Sequence, residues 1–165
     1  MPETRTTIVL LALVVVLGGC SKSPQEQARN KLVGAMGVVW APGNFLDAAK
    51  NGKSDVVGLF LQGGMESETA DDQGKTALIL AAAEGHTATV KTLLANGADV
   101  KNTDKQGKTA LIWAAEWDHI PAVQALLVNG ADVNHQANDG ATALAAAKTK
   151  GDAELVALLE KAGAK

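Results

Sequence analysis

The sequence predicts an all-α solenoid in which about four helix–turn–helix units stack in a row and loops or hairpins connect one unit to the next. The first observation is a spacing of 33 residues at which long stretches of sequence recur. The second is the composition, because 47% of the 165 residues are hydrophobic but only 3% are aromatic, with no tyrosine. A core of Ala, Leu and Val suits closely packed helices, whereas β-sandwiches favour β-branched and aromatic residues.

The repeat is clearest in the middle of the chain. Laying Gly74–Gln106 over Gly107–Asp139 gives 17 identities in 33 positions without a gap. The same shift aligns residues 44–73 and residues 140–165 with these two units, so 44–73 is a degenerate first unit and 140–165 a shortened last unit. An array in one register indicates units that bury their apolar faces against their neighbours.

Each unit has recognisable helix boundaries. Thr76 is a good N-cap for an inner helix, and Gly85 ends that helix. An outer helix follows, and Gly97 ends it as a left-handed C′ residue. The residues expected in the core of this unit are Leu78, Ala81, Ala82, Val90, Leu93 and Leu94. The residues expected to hold the framework of the array are Thr76, Gly85, His86, Gly97, Thr109, His119, Gly130 and Thr142.

The segments TALILA and TALIWA, at the period of 33, resemble the ankyrin repeat, whose motif is T-P-L-H-x-A. Alanine replaces the proline of the motif in this chain, and isoleucine replaces its histidine in two units. The resemblance covers residues 44–165, about three quarters of the chain. It implies an ankyrin-repeat solenoid in which His86 and His119 hydrogen-bond the backbone between helices. It also implies that a ligand meets the loop tips and the exposed side of the inner helices.

The two ends of such an array need caps that face water. In the last unit Lys148 replaces the second core alanine, which suits a C-terminal cap. At the other end, the sequence predicts a helix from about Gln25 to Val39 that covers the first unit and is ended by Pro42-Gly43. The residues expected on its packed side are Ala28, Leu32, Ala35, Met36 and Val39.

Residues 1–19 have the pattern of a secretory signal peptide. The apolar run Ile8–Leu17 is ten residues long and follows Arg5, whereas a membrane-spanning helix needs roughly 20 residues. Leu17-Gly18-Gly19-Cys20 resembles the lipobox of bacterial lipoproteins, which implies cleavage after Gly19 and acylation of Cys20. The alternatives are a signal without lipidation or a short membrane anchor with an incidental cysteine.

The lipoprotein resemblance also predicts where the protein resides. Residues 20–43 would then comprise the lipidated cysteine, a short polar tether and the N-terminal capping helix. Ser21 follows the cysteine, and a residue other than Asp at that position indicates the outer membrane in a Gram-negative host. We therefore expect an exported protein, anchored by lipid to the outer membrane and facing the periplasm.

Several kinds of chemistry are poorly supported. Nucleic-acid binding needs a basic face, and the net charge of −3 argues against one. The single cysteine excludes an internal disulfide or a multi-Cys zinc site. His86 and His119 lie in successive units, and stacked helices about 8–10 Å apart hold them too far apart to share one zinc ion. No serine lies in a G-x-S-x-G setting, and phosphate-binding glycine patterns are absent. We expect no enzyme activity, no metal and no cofactor.

The remaining candidate for function is surface that could bind a protein. Trp117 stands out because the equivalent positions in the other units are polar, and Trp113 lies four residues earlier on the same side. The alternative is that Trp113 fills space and Trp117 covers alanines. The residues expected to bind a partner are Asp72, Gln73, Lys75, Glu84, Lys105, Gln106, Lys108, Trp113, Glu116, Trp117, Asn138, Asp139 and Lys150.

These observations together predict a monomeric, lipid-anchored binding module of the bacterial envelope that inhibits, or protects against, an envelope protein. The acyl chains would attach it to the membrane, and the tether would let it reach its partner. Two alternatives stay open: a scaffold that holds envelope proteins together, and a purely structural envelope protein.

Overall fold

The computed structural model describes residues 23–165, apart from the side chains of Ala35 and Met36. This part of the chain contains nine helices and no strand longer than an isolated bridge. In chain order the helices are α1 Pro24–Met36, α2 Pro42–Lys50, α3 Ser54–Gln62, α4 Ala77–Ala83, α5 Thr87–Ala95, α6 Ala110–Glu116, α7 Ile120–Val128, α8 Ala143–Lys150 and α9 Ala153–Lys161. Helices α2 to α9 form four helix–turn–helix pairs, so the predicted all-α stack is confirmed.

The pairs stack through two rows of helices. The inner helices α2, α4, α6 and α8 each contact the next inner helix along the array, and the outer helices α3, α5 and α7 do the same. Helix α1 packs against α3 and so covers the outer row at its N-terminal end. Contacts therefore run between neighbouring units, as expected for a repeat array.

The start of each inner helix in the last three units is fixed by a threonine. The hydroxyl oxygens of Thr76, Thr109 and Thr142 accept hydrogen bonds from backbone N–H groups three residues later, at 3.4, 3.4 and 3.1 Å. A capping hydroxyl satisfies one of the N–H groups that the first turn leaves without a partner. The ends of the outer helices are marked by Gly97 and Gly130, with φ values of 86° and 84°.

The core is one continuous cluster of mostly small and aliphatic side chains between the two rows, with Phe45 and Phe60 fully buried in the first unit. Every core residue expected in unit 74–106 is buried in it except Leu94, which is half-buried. Alanines at the centre of α4 and α6 have no exposed surface. Small side chains there let successive inner helices approach closely, which explains the alanine-rich composition.

The N-terminal helix differs from its prediction at its C-terminal end. Helix α1 ends at Met36 because Gly37 takes the left-handed conformation, with φ 62°. Ala28 and Leu32 are buried as expected, but Val39 lies beyond the helix and is 65% exposed. Pro42-Gly43 does not end α1; it begins α2, where a first-turn proline lacks only an N–H that has no helical partner anyway.

Neighbouring loops pair through their backbones. The N–H of Lys105 donates to the carbonyl of Gln73 at 2.9 Å, and the N–H of Asn138 donates to the carbonyl of Gln106 at 3.0 Å. Isolated bridges close the base of two loops, from Ala70 to Thr76 and from Thr103 to Thr109. The loops that connect units are therefore hairpin-like, and their tips form one row.

The last helix pair presents a charged outer end. Lys148 is exposed and forms an ion pair of 3.5 Å with Glu160, although both side chains remain about half exposed. Such an exposed pair contributes little to stability, so its importance is in keeping that end of the array polar. Among residues 23–165 no helix combines the length and hydrophobicity that crossing a membrane requires.

Candidate functional site

The register of the repeat brings three columns of side chains together along the inner helices. We call this surface the inner-helix face. The first column is Asp47, Leu80, Trp113 and Ala146; the second is Lys50, Ala83, Glu116 and Thr149; the third is Asn51, Glu84, Trp117 and Lys150. The third column lies at or beside the C-terminal ends of α2, α4, α6 and α8.

Trp113 is held rigidly within this face. Its indole N–H donates to Oδ2 of Asp104 at 2.8 Å, and the residue is half-buried. Lys75 of the preceding unit places its Nζ 3.8 Å from the centroid of the Trp113 ring, and Lys108 places its Nζ at 4.8 Å. Two cations over one indole form cation–π contacts, which are strongest for tryptophan. Trp113 is therefore part of a built cluster and not an isolated filler.

Asp104 organises this cluster and was missed by the sequence analysis. It is 5% exposed, and its Oδ1 accepts the backbone N–H groups of Gln106 and Lys108 at 2.9 and 3.0 Å. The signal that could have identified it is the segment D-x-Q-G-K, present as 71–75 and 104–108, in which an aspartate accepts N–H groups of its own turn. Asp71 makes the equivalent turn bonds, to Gln73 and Lys75.

The opposite charges of Lys108 and Glu116 compensate each other. Lys108 Nζ forms an ion pair with Glu116 Oε1, and the two side chains are only 13% and 25% exposed. A partly buried pair of this kind is screened less by salt than a surface pair. These two expected partner-binding residues thus neutralise each other on the face, and neither is a free charge.

The side chain of Trp117, in contrast, is largely exposed to solvent. It is the C-cap residue of α6 and is 58% exposed. The Nζ of Lys150 lies 5.6 Å from its ring centroid, at the outer limit of a cation–π contact. Among residues 23–165 Trp117 is the one exposed aromatic side chain, and tryptophan is enriched among residues that dominate binding energy.

A shallow cavity lies between α6 and α8, and its lining includes Lys150, whose Nζ lies 5.6 Å from the Trp117 ring centroid. Its volume is about 260 Å³, and it is lined by Glu116, Ala141, Ala145, Ala146, Thr149 and Lys150. The cavity exists because the last unit has Ala141 where the two units before it have lysine, and Ala146 where the unit before it has Trp113. Small side chains at both positions leave space that the preceding units fill.

The other expected binding residues lie around this cluster. Glu84 is exposed at the end of α4, and Lys75 is half-buried over Trp113. The side-chain amide of Asn138 donates to the carbonyl of Lys105 at 3.1 Å and so links two loop tips. The exposed residues of the loop tips are Asp72, Gln73, Lys105, Gln106, Asn138 and Asp139.

The three histidines all hydrogen-bond backbone carbonyls. Nε2 of His86 donates to the carbonyl of Lys50 at 2.9 Å, and Nε2 of His119 donates to that of Ala83 at 3.0 Å. Nε2 of His135 donates to the carbonyl of Gly107 at 2.9 Å. The bonds of His86 and His119 each join one unit to the preceding one, whereas that of His135 lies within its own unit. Residues 23–165 contain no group of three or more acidic, Cys or His side chains suited to a metal ion.

Asp118 and Asp152 form a carboxylate pair that the other units lack, because their equivalents in unit 74–106 are Gly85 and His86. Asp118 has φ 60°, and it is the one non-glycine residue of the described chain with positive φ. A hydrogen bond with the Asp152 side chain, followed by desolvation and by repulsion from the Asp152 carboxylate, raises the pKa of Asp118. The pKa of Asp152 is lowered, chiefly because it accepts the backbone N–H of Leu155.

The comparison with protein families agrees with this architecture. A family model described as ankyrin repeats, three copies, matches residues 45–137. A search of curated proteins finds no match to the chain. The predicted signal peptide, Cys20 and its acylation lie outside the described residues.

Proposed function

The chain belongs to the ankyrin-repeat family, and from that premise we propose that it is a protein-binding module of the bacterial envelope that inhibits, or protects against, an envelope protein. Members of this family present a stacked framework as a protein interaction surface, so protein partners follow from membership. The envelope location and the inhibitory role are the parts that we add. The inner-helix face would bind the partner directly, without any catalytic step.

The observation that carries this proposal is the exposure of Trp117. The equivalent positions hold Asn51, Glu84 and Lys150, and tryptophan is strongly enriched among the residues that dominate binding energy. Its neighbour Trp113 is already held by Asp104, and an alanine-lined cavity lies on the same face, between α6 and α8. A rigid aromatic cluster and an open apolar cavity on one face form a surface that a partner can bind with little loss of side-chain freedom.

The N-terminal pattern supports the envelope location. A ten-residue apolar run followed by Leu17-Gly18-Gly19-Cys20 is typical of exported lipoproteins. Two or three acyl chains on Cys20 would give stable anchoring, because each buried methylene contributes about 0.8 kcal/mol. Helix α1 starts at Pro24, so only a few residues would separate the lipid from the folded array. A scaffold that holds two envelope proteins is the second candidate, and the stoichiometry of the complex distinguishes the two.

The proposal can be tested by photo-crosslinking in intact cells. A photoreactive amino acid in place of Glu84 lies on the inner-helix face, next to Trp117 in the same column. The same group in place of Lys91, exposed on the outer helix α5, is the matched control. We expect a defined crosslinked partner from position 84 and none from position 91. Crosslinks of equal yield from both positions would contradict a role for this face.

The Trp117→Ala variant provides the energetic test. We expect partner binding to weaken by about 2 kcal/mol or more, as for an interface anchor, while the thermal unfolding midpoint changes little. Val128→Ala removes a side chain that is 87% exposed on the outer helix α7, and it should change neither quantity. Intact binding with a large loss of stability in Trp117→Ala would assign that residue to packing.

A further inference from the structure

The outer helices of the last three units carry an apolar strip flanked by two lysines. We call this strip the outer-row patch, and its members are Lys91, Leu127, Val128, Leu158, Lys161 and Ala162. Resting on the lipid anchor of the proposed function, we propose that this patch docks on the phospholipid surface to which Cys20 is attached. The array then lies on the membrane by its outer row, and the inner-helix face points away from the lipid.

The apolar part of the patch consists of two grooves, one on either side of α7. The groove between α7 and α9 has a volume of about 340 Å³, and the groove between α5 and α7 has a volume of about 430 Å³. Val128 lines both grooves and is 87% exposed, which makes it the most exposed large hydrophobic side chain of residues 23–165. Contiguous apolar surface of this kind is typical of a site that docks on a protein or a membrane.

The charges that line the grooves are complementary to phosphate groups. Lys91 lines one groove and Lys161 the other, no carboxylate lines either groove, and neither lysine forms an ion pair within residues 23–165. Glu160, next to Lys161 in sequence, is paired with a lysine of α8. The carboxylates of Asp99 and Asp132, in the loops after α5 and α7, accept N–H groups of their own turns. Lysines beside apolar surface can bury their methylene stems and reach headgroup phosphates with their ammonium groups.

The first helix begins at the edge of the outer row that carries the patch. Nε of Arg29 donates to the carbonyl of Gly63 at 2.9 Å, so the first turns of α1 lie against the C-terminal end of α3. The period of 33 places the C-terminal ends of α5, α7 and α9 along the same edge. Val128 and Lys161 are the last residues of α7 and α9. The patch and the point where the tether joins the array therefore lie on one edge.

The tether is too short to hold this edge far from the lipid. Cys20 precedes Pro24 by four residues, and a fully extended chain spans at most about 3.6 Å per residue, so the two Cα atoms lie within about 14 Å of each other. An acylated Cys20 therefore brings the C-terminal ends of the outer helices close to the membrane surface. The patch, further along the row, provides the second contact that lays the array along the membrane.

Docking by this edge leaves the binding surface accessible. The helices of each pair are joined by a short turn and so run in opposite directions. Trp117 lies at the C-terminal end of α6, whereas Val128 lies at the C-terminal end of α7. The two side chains are therefore at opposite ends of their helix pair, and an array that docks through Val128 presents Trp117 to a partner.

The test in intact cells uses photo-crosslinking to lipid. A photoreactive amino acid replaces Val128 in the full chain, and the same group in place of Glu84, on the inner-helix face, is the matched control. We expect phospholipid adducts, identified by mass spectrometry, at position 128 and none at position 84. The adducts at position 128 should be lost when the anchor is removed by Cys20→Ser.

Reconstituted vesicles separate the docking from the natural anchor. Residues 20–165 contain all nine helices of the described structure, and Cys20 is their only cysteine. This thiol can be coupled to a maleimide lipid in vesicles of phosphatidylethanolamine and phosphatidylglycerol. We expect the photoreactive group at position 128, and not the one at position 84, to form lipid adducts on these vesicles as well.

The same vesicles test the two lysines. Lys91→Gln combined with Lys161→Gln should lower the yield of lipid adducts at position 128 by at least about threefold, because each lysine near an anionic surface is worth about 1 kcal/mol. Lys50→Gln combined with Lys105→Gln removes two exposed lysines outside the patch and is the matched control. It should leave the yield unchanged.

Each contrary outcome has a distinct meaning. Equal yields of lipid adducts at positions 84 and 128, or none at position 128 on the coupled vesicles, would overturn the docking and leave the binding module intact. A protein adduct at position 128 in place of lipid would assign the patch to a protein partner and also overturn the docking. Adducts on vesicles but not in cells would overturn the anchor on which the inference rests. Lipid adducts at position 128 without a protein partner at position 84 would support the docking and contradict the proposed function.

Discussion

The indole N–H of Trp113 donates to the carboxylate of Asp104 at 2.8 Å, and it is the third donor on a side chain that is 5% exposed. The other two donors are the backbone N–H groups of Gln106 and Lys108. One buried acid thereby shapes the loop of its unit and fixes the orientation of the tryptophan on the inner-helix face. Loop conformation and binding surface are coupled through this residue.

We expect Asp104→Ala to be strongly destabilising. The substitution removes the acceptor of three part-buried N–H groups, which should lower the free energy of unfolding by about 2–4 kcal/mol. Asp71→Ala is the matched control because Asp71 accepts two backbone N–H groups, has no tryptophan partner and is half-buried. Urea unfolding followed by circular dichroism measures both, and equal losses would argue against a special role for the indole bond.

The second prediction concerns the contact between Gly85 and His119. A Cβ placed at Gly85 would lie 2.5 Å from Nδ1 of His119, and the φ of Gly85 is 73°. Gly97 has a comparable φ of 86°, but a Cβ there would meet nothing within 4 Å. We expect Gly97→Ala to cost about 1–2 kcal/mol from backbone strain alone, and Gly85→Ala to cost clearly more.

A double-mutant cycle identifies the source of the extra cost. Adding His119→Ala to Gly85→Ala removes the ring that the new Cβ would strike, so the two losses should not add. His119→Ala alone loses the hydrogen bond to the Ala83 carbonyl. Additive free energies of unfolding would show that the ring does not occupy the space above Gly85.

The third prediction concerns the pH dependence of stability at Asp118. Its pKa is raised by the hydrogen bond with Asp152, by desolvation and by repulsion from the Asp152 carboxylate. Attraction to His119 and Lys150 lowers the pKa and offsets part of this rise. The folded state therefore holds this proton more tightly than the unfolded state. Its stabilising contribution is fully present below the ordinary carboxyl value of 3.8 and is lost as the pH rises through the raised pKa.

We accordingly expect Asp118→Asn to raise the thermal unfolding midpoint at neutral pH, because the variant lacks the repulsion. The gain should shrink as the pH falls through the raised pKa. The pH dependence that Asp152 contributes has the opposite sign. Because its pKa is lowered, its stabilising contribution is present at pH values above the ordinary carboxyl pKa of 3.8 and is lost as the pH falls through the lowered pKa. Asp72→Asn, at an exposed loop tip, is the control. If Asp118→Asn raised the unfolding midpoint by the same amount from pH 3 to pH 8, the carboxylate pair would be excluded as the source of the gain.

The fourth prediction concerns the N-terminus. We expect Cys20→Ser to abolish acyl labelling and to release a soluble or unprocessed form, because the thiol that would receive the lipid is gone. Membrane fractionation and labelling with a fatty-acid analogue measure this, and Ser21→Ala is the neighbouring control. Unchanged fractionation and labelling in Cys20→Ser would show that the protein is not a lipoprotein.

Much of the fold could be predicted because a period of 33 residues is a property of the chain itself. Identical residues at that spacing occupy equivalent positions, so the threonine caps, the left-handed glycines and the buried alanines follow from one unit to the next. The prediction was less accurate at the N-terminus, where no second copy exists to compare. There Gly37 ended α1 early, and Pro42 began the next helix.

The sequence by itself determined the all-α array, its register and the columns of residues on the inner-helix face. Only the tertiary structure decided which of those residues are free. It paired Lys108 with Glu116, attached Trp113 to Asp104 and left Trp117 in water. The physical reason is that periodicity places each side chain on a helix. Its hydrogen bonds and ion pairs depend instead on distances between elements, which form only when neighbouring units pack.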